Sequence, residues 1–413
     1  MKKFFLFASA ALVLASCSSE AEEAVIKPNE TPEEEVLELT EIKLGGGAPT
    51  ASAETRAVNE VTTWSDTKVG IFGVNENASR TTGNNDWSEE PTIGAMNIRA
   101  EQAVILLNEL AEVANDNKVS FEAGKIYFPR TNNYDYGYTF LGYYPYITTD
   151  PTTDPDHISV TGTFDGTQDI MAGKSVSADQ LTNGNSIGYN AKYIRDYRKL
   201  DYATEYPAID IKFKHLTSRI DVQLKQGASY IGDMCDVYAA YFEVGEEYTL
   251  TFTKDTENND VTTSLEFGEN TVKAYAIGGG DFVQSKSYKQ NDIVKQSGQY
   301  YKFNEDYTGP WAGAPVTLFT DGFAPEAGPT LNNTYKIFVT PDPQVGPATK
   351  MLYLILKNDI TIPIPVTVKS PDGGFEAGKA YKVIVTINGP EEITVTASIV
   401  EWEEVDGTPG VEI

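Results

Sequence analysis

Residues 393–402 read Ile-Thr-Val-Thr-Ala-Ser-Ile-Val-Glu-Trp, and their alternation is the tightest constraint in the chain. Ile393, Val395, Ala397 and Ile399 fall on one side, and Thr394, Thr396 and Ser398 on the other. This is the two-residue period of a strand with one face for a core and one for solvent. Short β-rich runs recur between turn signals at 69–74, 119–128, 136–146, 158–164, 209–224, 248–253, 335–340, 351–356, 360–368 and 381–387. That spacing predicts an all-β fold of sandwiches. The 24 Tyr, 18 Phe, 34 Gly and 21 Pro fit strands and turns better than helices. One segment reads differently: across 99–115, Val104, Leu107, Leu110, Ala111 and Ala114 are spaced for one face of a helix, so a minor surface helix is expected there.

The N-terminus carries a different signal. Lys2 and Lys3 precede an apolar run from Phe4 to Leu14, followed by Ala15, Ser16 and Cys17. Basic, apolar, then small residues before a cysteine describe a lipoprotein signal peptide, with Cys17 as the lipidated residue after cleavage. The apolar run is too short to remain as a membrane-spanning helix. Cys235 is then the one cysteine left, so no intramolecular disulfide forms and stability must come from buried area. Roughly 400 residues beyond the signal exceed what a single core usually holds, and two domains are expected. The polar, tyrosine-rich stretch 190–207 precedes the alternating Ile209-Asp210-Ile211-Lys212-Phe213. The expected division is therefore a signal peptide over 1–17, a tether and N-terminal strand over 18–56, and domains over 57–207 and 208–413.

In the tether, Glu20, Glu22, Glu23, Glu30, Glu33, Glu34 and Glu35 accompany Pro28 and Pro32 with little that can pack, which is the composition of a disordered linker. Acidic residues soon after Cys17 also resemble the export signal of surface lipoproteins, although a plain charged linker reads the same way. Residues 36–44 are the first able to form a strand, and Gly45-Gly46-Gly47 reads as its end. A small, polar stretch follows, containing Glu54-Thr55-Arg56-Ala57. A basic side chain in an open loop suits a trypsin-like protease, which must draw an extended segment into its cleft.

The charge excludes some functions. With 60 acidic against 32 basic residues, the formal net charge of −28 repels nucleic acid and anionic membranes. A neutral-pH base is scarce, because the chain has two histidines, and His215 stands in strand-like Phe213-Lys214-His215-Leu216 where a structural role is expected. No nucleophile elbow, phosphate loop, dinucleotide fingerprint or paired-cysteine zinc spacing occurs, so neither an enzyme nor a cofactor is expected. Asp150, Asp154 and Asp156 beside His157 form the best metal candidate, but their spacing misses the calcium-loop pattern and Pro151 and Pro155 suit an ordinary turn. Carboxylates assembled from distant parts of the chain would leave no such signature. Four Trp and the many Tyr leave carbohydrate binding open, because exposed rings stack on sugars, yet most are expected in the core.

Several motifs together resemble the fimbrillin family of type V pili. They are Cys17, Glu54-Thr55-Arg56-Ala57, Tyr143-Tyr144-Pro145-Tyr146, Asp169-Ile170-Met171-Ala172, Phe213-Lys214-His215-Leu216 and Ala397-Ser398-Ile399-Val400-Glu401-Trp402, in order along nearly the whole chain. The resemblance implies two transthyretin-like β-sandwich domains in tandem. It also implies export as a lipoprotein to the outer membrane and cleavage between Arg56 and Ala57 by an Arg-specific protease. Loss of the N-terminal strand then permits strand exchange, with Ile393, Val395, Ala397 and Ile399 as donor residues and other fimbrial subunits as partners. A surface lipoprotein or pilus-tip adhesin that binds a glycan or host protein is the alternative.

Overall fold

The computed structural model describes residues 39–47, 64, 66–75, 86–88, 103–130, 137–175, 188–199, 209–255, 260–284, 286–342, 348–357, 359–368, 374–389 and 392–400. Strands make up nearly all of its regular structure. The largest sheet has seven, in the order Leu44–Gly47, Ile209–His215, Met171–Ser175, Tyr138–Tyr144, Thr67–Asn75, Val104–Val113 and Val119–Phe121. The first pair is parallel, with Leu44 opposite Ile209 and Gly46 opposite Ile211, and the others are antiparallel.

Both faces of the central strands are covered. On one side Ile42, Leu44, Trp64, Ile71, Ile211 and Phe213 belong to one core. On the other, Phe72, Val74 and Leu141 pack with Ile158, Leu250 and Phe252. The latter come from a second sheet ordered Asp260–Phe267, Glu247–Asp255, His157–Thr163 and Thr152–Asp154. Its outward face carries hydroxyls that bond in pairs across strands, Ser159 to Thr251 at 2.9 Å and Thr161 to Thr249 at 3.3 Å. Alternation thus survives in this sheet, while the central strands of the larger one read as continuous apolar runs.

Two four-stranded sheets form the C-terminal sandwich. One runs Tyr335–Val339, Ser218–Gln226, Ala380–Gly389 and Glu392–Val400; the other runs Thr271–Ile277, Val237–Gly245, Ala348–Leu356 and Thr361–Val368. Ile220, Val222, Phe242, Leu352 and Val383 are fully or almost fully buried in their shared core. Among the described residues, Glu392–Val400 stands at the edge of its sheet and pairs antiparallel with Ala380–Gly389. Residues on both sides of position 207 share sheets: Ile209–His215 joins the seven-stranded sheet, and His157–Thr163 pairs with Glu247–Asp255.

Two local expectations are corrected. The segment 99–115 holds no helix in its described part; Val104–Val113 is a strand. Its pairing with Thr67–Asn75 shifts register around Gly73, and Asn108 takes a left-handed backbone at φ 52°. These irregularities turn apolar residues to both sides of the sheet, so the period of two is lost and a spacing of three and four appears in its place. The described helix is Ala191–Lys199, inside the stretch read as a polar boundary. Asn190 caps it by accepting the Tyr193 amide at 2.8 Å, and Lys192 pairs with Asp196 one turn on at 2.6 Å. The second correction concerns Gly45-Gly46-Gly47, which continues the N-terminal strand instead of ending it.

Candidate functional site

The seven-stranded sheet is closed by its own N-terminal segment. Residues 40–47 bond to strand Ile209–His215 on one side, where the Ile209 amide donates to Lys43 O at 3.0 Å. On the other side they bond to residues 117–128: Phe128 N–H donates to Thr40 O at 2.9 Å, Ile42 N–H to Ile126 O at 2.8 Å, and Gly46 N–H to Asn117 O at 2.8 Å. Antiparallel bridges join Glu41 to Tyr127 and Gly45 to Lys118. The segment is a seam between the two ends of the sheet, and its removal would leave two lines of backbone donors and acceptors without partners.

Side chains alternate along the seam. Thr40, Ile42 and Leu44 are 1%, 3% and 2% exposed and Lys43 points to solvent, while Gly45 and Gly46 beyond them are both buried. Glu41 makes an ion pair with Lys125 at 3.2 Å. Gly46 sits where little else fits: a Cβ there would lie 2.9 Å from Val113 Cγ1 and 3.4 Å from Trp64 Nε1. The indole N–H of Trp64 donates to the Gly46 carbonyl at 2.9 Å. Opposite Gly45, Asp210 is exposed as a residue, yet partial desolvation holds its carboxyl above the ordinary aspartate range, with Lys212 opposing the shift.

The terminal strand meets its own subunit in a defined register. Ile393 lies opposite Ile387, Val395 opposite Val385, Ala397 opposite Val383, and Ile399 opposite Tyr381. Ile393 is half-buried and Thr394 exposed. Cys17, Arg56 and Ala57 lie outside the described residues. Asp154 and Asp156 both turn toward the half-exposed His157, at 3.3 and 2.8 Å, around the tight turn that joins Thr152–Asp154 to His157–Thr163. Asp150 lies beyond that turn, and no three Cys, His, Asp or Glu side chains among the described residues gather to hold a metal ion.

His215 has a structural place. Its Nδ1 lies against the Asp169 carboxylate, whose other oxygen accepts from Thr217 Oγ1 at 2.6 Å, and all three residues are buried. The wall formed by residues 117–128 and the Trp64 hydrogen bond were not legible in the sequence. Trp64 offered one signal, as a large aromatic residue inside a polar stretch.

The prokaryotic membrane lipoprotein lipid attachment site matches residues 1–18, which include Cys17. No curated protein matches the chain. Solved structures similar to it include a putative cell adhesion protein from Bacteroides uniformis, at 14% identity and a TM-score of 0.42 over 88% of this chain and 98% of that one. The tip fimbrial protein Mfa3 of Porphyromonas gingivalis matches at 8% identity and a TM-score of 0.31, over 88% and 99% of the two chains. The fimbrial anchor protein Mfa2 of the same organism matches at 10% and 0.32, over 89% and 99%.

Proposed function

We propose that the chain is a structural subunit of a cell-surface fimbria supporting adhesion, carried to the outer membrane as a lipoprotein on Cys17 and freed to polymerise by cleavage after Arg56. The observation that carries this reading is the seam. Residues 40–47 precede Arg56 and are bonded to the sheet on both sides, yet they are joined to the remaining chain only through the stretch that contains Arg56. An Arg-specific protease cutting there separates the seam from the fold it closes.

The vacated slot is unfavourable in two ways. Ile42 and Leu44 withdraw from a core where each contributes about 1.5–3 kcal/mol. The backbone groups of Ile209 and of residues 117–128 lose their hydrogen bonds, and edges of this kind are templates for an added strand. Residues 393–399 carry the alternation such a slot requires and stand at a sheet edge, from which a strand can leave without splitting the sheet in two. A neighbouring copy supplying them replaces the seam and extends the fibre.

The test is Arg56→Ala in cells. The variant is expected to accumulate as a lipidated, membrane-bound monomer, whereas the parent chain yields protein beginning at Ala57 in a denaturant-resistant ladder. Normal ladders from the uncut variant would overturn the reading.

A further inference from the structure

The slot also contains the information that sets the register of an incoming strand. We infer that the C-terminal strand of a second copy enters in the same direction as the seam, with Ile393 in the place of Ile42, Val395 in that of Leu44 and Ala397 in that of Gly46. This rests on the strand-exchange reading above and assigns the residues that decide its geometry.

The narrowest point of the slot is the Gly46 position, between Val113 Cγ1 and the indole of Trp64. A methyl group fits there if the tip of Val113 yields by a few tenths of an ångström; a branched side chain would drive into Val113 and the buried Trp64 ring. Of the four inward candidates on the donor, Ala397 alone is that small. Once it is fixed at the narrow point, direction decides the remainder. Running with the seam, Val395 and Ile393 fall on the two wide positions that Leu44 and Ile42 fill, so that Ile-x-Val-x-Ala follows Ile-x-Leu-x-Gly. Running against it, Ala397 at the same point would put Ile399 at the Leu44 position and Glu401 at the Ile42 position, burying a carboxylate in the apolar core. A two-residue slip in the favoured direction would place Val395 or Ile399 against Val113 and Trp64.

The hydrogen bonds agree with this choice. Trp64 follows Arg56 in sequence and stays after cleavage, and its buried indole N–H, bonded to Gly46 O in the closed precursor, then requires another carbonyl. In this register Ala397 supplies it. Parallel pairing with Ile209–His215 is also kept, so Thr396 takes the place of Gly45 beside the exposed Asp210. Glu391 falls at the Thr40 position, which is buried in the precursor but polar and last in the seam, so this direction carries its carboxylate at the end of the slot and not at the apolar Ile42 position.

The test uses two copies of the full chain, each with one added cysteine, one Asp210→Cys and one Thr396→Cys, mixed, processed at Arg56 and oxidised. Paired residues on adjacent strands lie within disulfide reach, and native Cys235 is buried. The register predicts intermolecular disulfides for this pair and at least tenfold fewer when Thr394→Cys or Ser398→Cys replaces Thr396→Cys. Ladders that cross-link through either of those instead, or through none, would overturn the register while leaving strand exchange standing; absence of ladders from the parent chain would overturn both. Separately, Ala397→Leu is expected to abolish ladders from a monomer whose melting temperature matches the parent, and Val113→Ala in the acceptor to restore them. Unchanged ladders from folded Ala397→Leu would count against the inference, and if that variant does not fold, the cross-links decide.

Discussion

Trp64 and Gly46 are joined by a buried hydrogen bond of 2.9 Å that spans the Arg56 junction, the donor lying after it and the acceptor before. The bond ties the part of the chain expected to leave to the part expected to remain. Replacing Trp64 with Phe keeps most of the ring and deletes the donor, which is expected to weaken the seam by about 1 kcal/mol. Thr40→Val should act in the opposite sense by a similar amount, because the Thr40 hydroxyl is buried with no hydrogen-bond partner among the described residues. Hydrogen exchange at the Ile42 and Gly46 amides of the uncut chain reads both changes. Faster exchange in Trp64→Phe and slower exchange in Thr40→Val are the expected pair, and equal rates in all three proteins would contradict the account.

The Asp169 carboxylate is expected to be the most sensitive buried polar group. It is fully buried, and it receives Thr217 and His215 at the point where strand Ile209–His215 of one sheet passes into strand Ser218–Gln226 of another. Asp169→Ala removes the acceptor and leaves both donors in an apolar setting, with an expected loss of about 3–5 kcal/mol. Thr217→Val removes one donor and should cost about 1–1.5 kcal/mol. Urea unfolding measures both. A loss for Asp169→Ala no larger than that for Thr217→Val would mean that the His215 contact contributes little.

What could be read from sequence follows from how many faces of a strand are buried. Strands with one wet face, such as 248–253 and 381–387, announce themselves by alternation and were expected where they occur. Val104–Val113 turns apolar residues to both cores and is broken by the Asn108 irregularity, so its apolar residues imitate a helix. The real helix was concealed for the opposite reason: Ala191, Tyr193 and Ile194 form a short apolar stripe among charged residues, and the Asn190 cap was its best signal. At the site, the strand at Ile393 to Ile399 and a strand ahead of Arg56 were legible from their patterns. The slot walls were not, because strand Ile209–His215 and residues 117–128 lie at least 70 residues from the seam, and nothing local marks a partner so distant.

Glu109 gives the fold a pH dependence of known sign. Burial alone raises its carboxyl above the ordinary glutamate range. The folded state therefore favours the protonated form, and the associated stability is fully present below the ordinary glutamate value, roughly pH 4. It is lost as pH rises through the higher folded value. At neutral pH the ionised group opposes folding, so Glu109→Gln should raise the melting temperature at pH 7, with the advantage shrinking toward pH 4. A constant difference between the two proteins across that interval would exclude Glu109 as its source.

Gly173 tests whether the slot wall and the seam are mechanically linked. It lies opposite Phe213 in the pairing of Met171–Ser175 with Ile209–His215. A Cβ added there would fall inside the contact distance of the Lys212 carbonyl and 2.8 Å from Phe213 Cα. These are backbone atoms, which cannot swing aside as a side chain does, so Gly173→Ala has to push strand Ile209–His215 away from its neighbour. The expected cost is about 1–3 kcal/mol. Gly389→Ala is the control, since a Cβ there meets nothing within 4 Å. The displaced strand is the one that pairs with Leu44–Gly47, so part of the cost should appear at the seam as faster exchange of the Gly46 amide and earlier release of the N-terminal fragment after proteolysis. A variant that is globally less stable but releases the fragment at the parental rate would show that the wall yields without loosening what it holds.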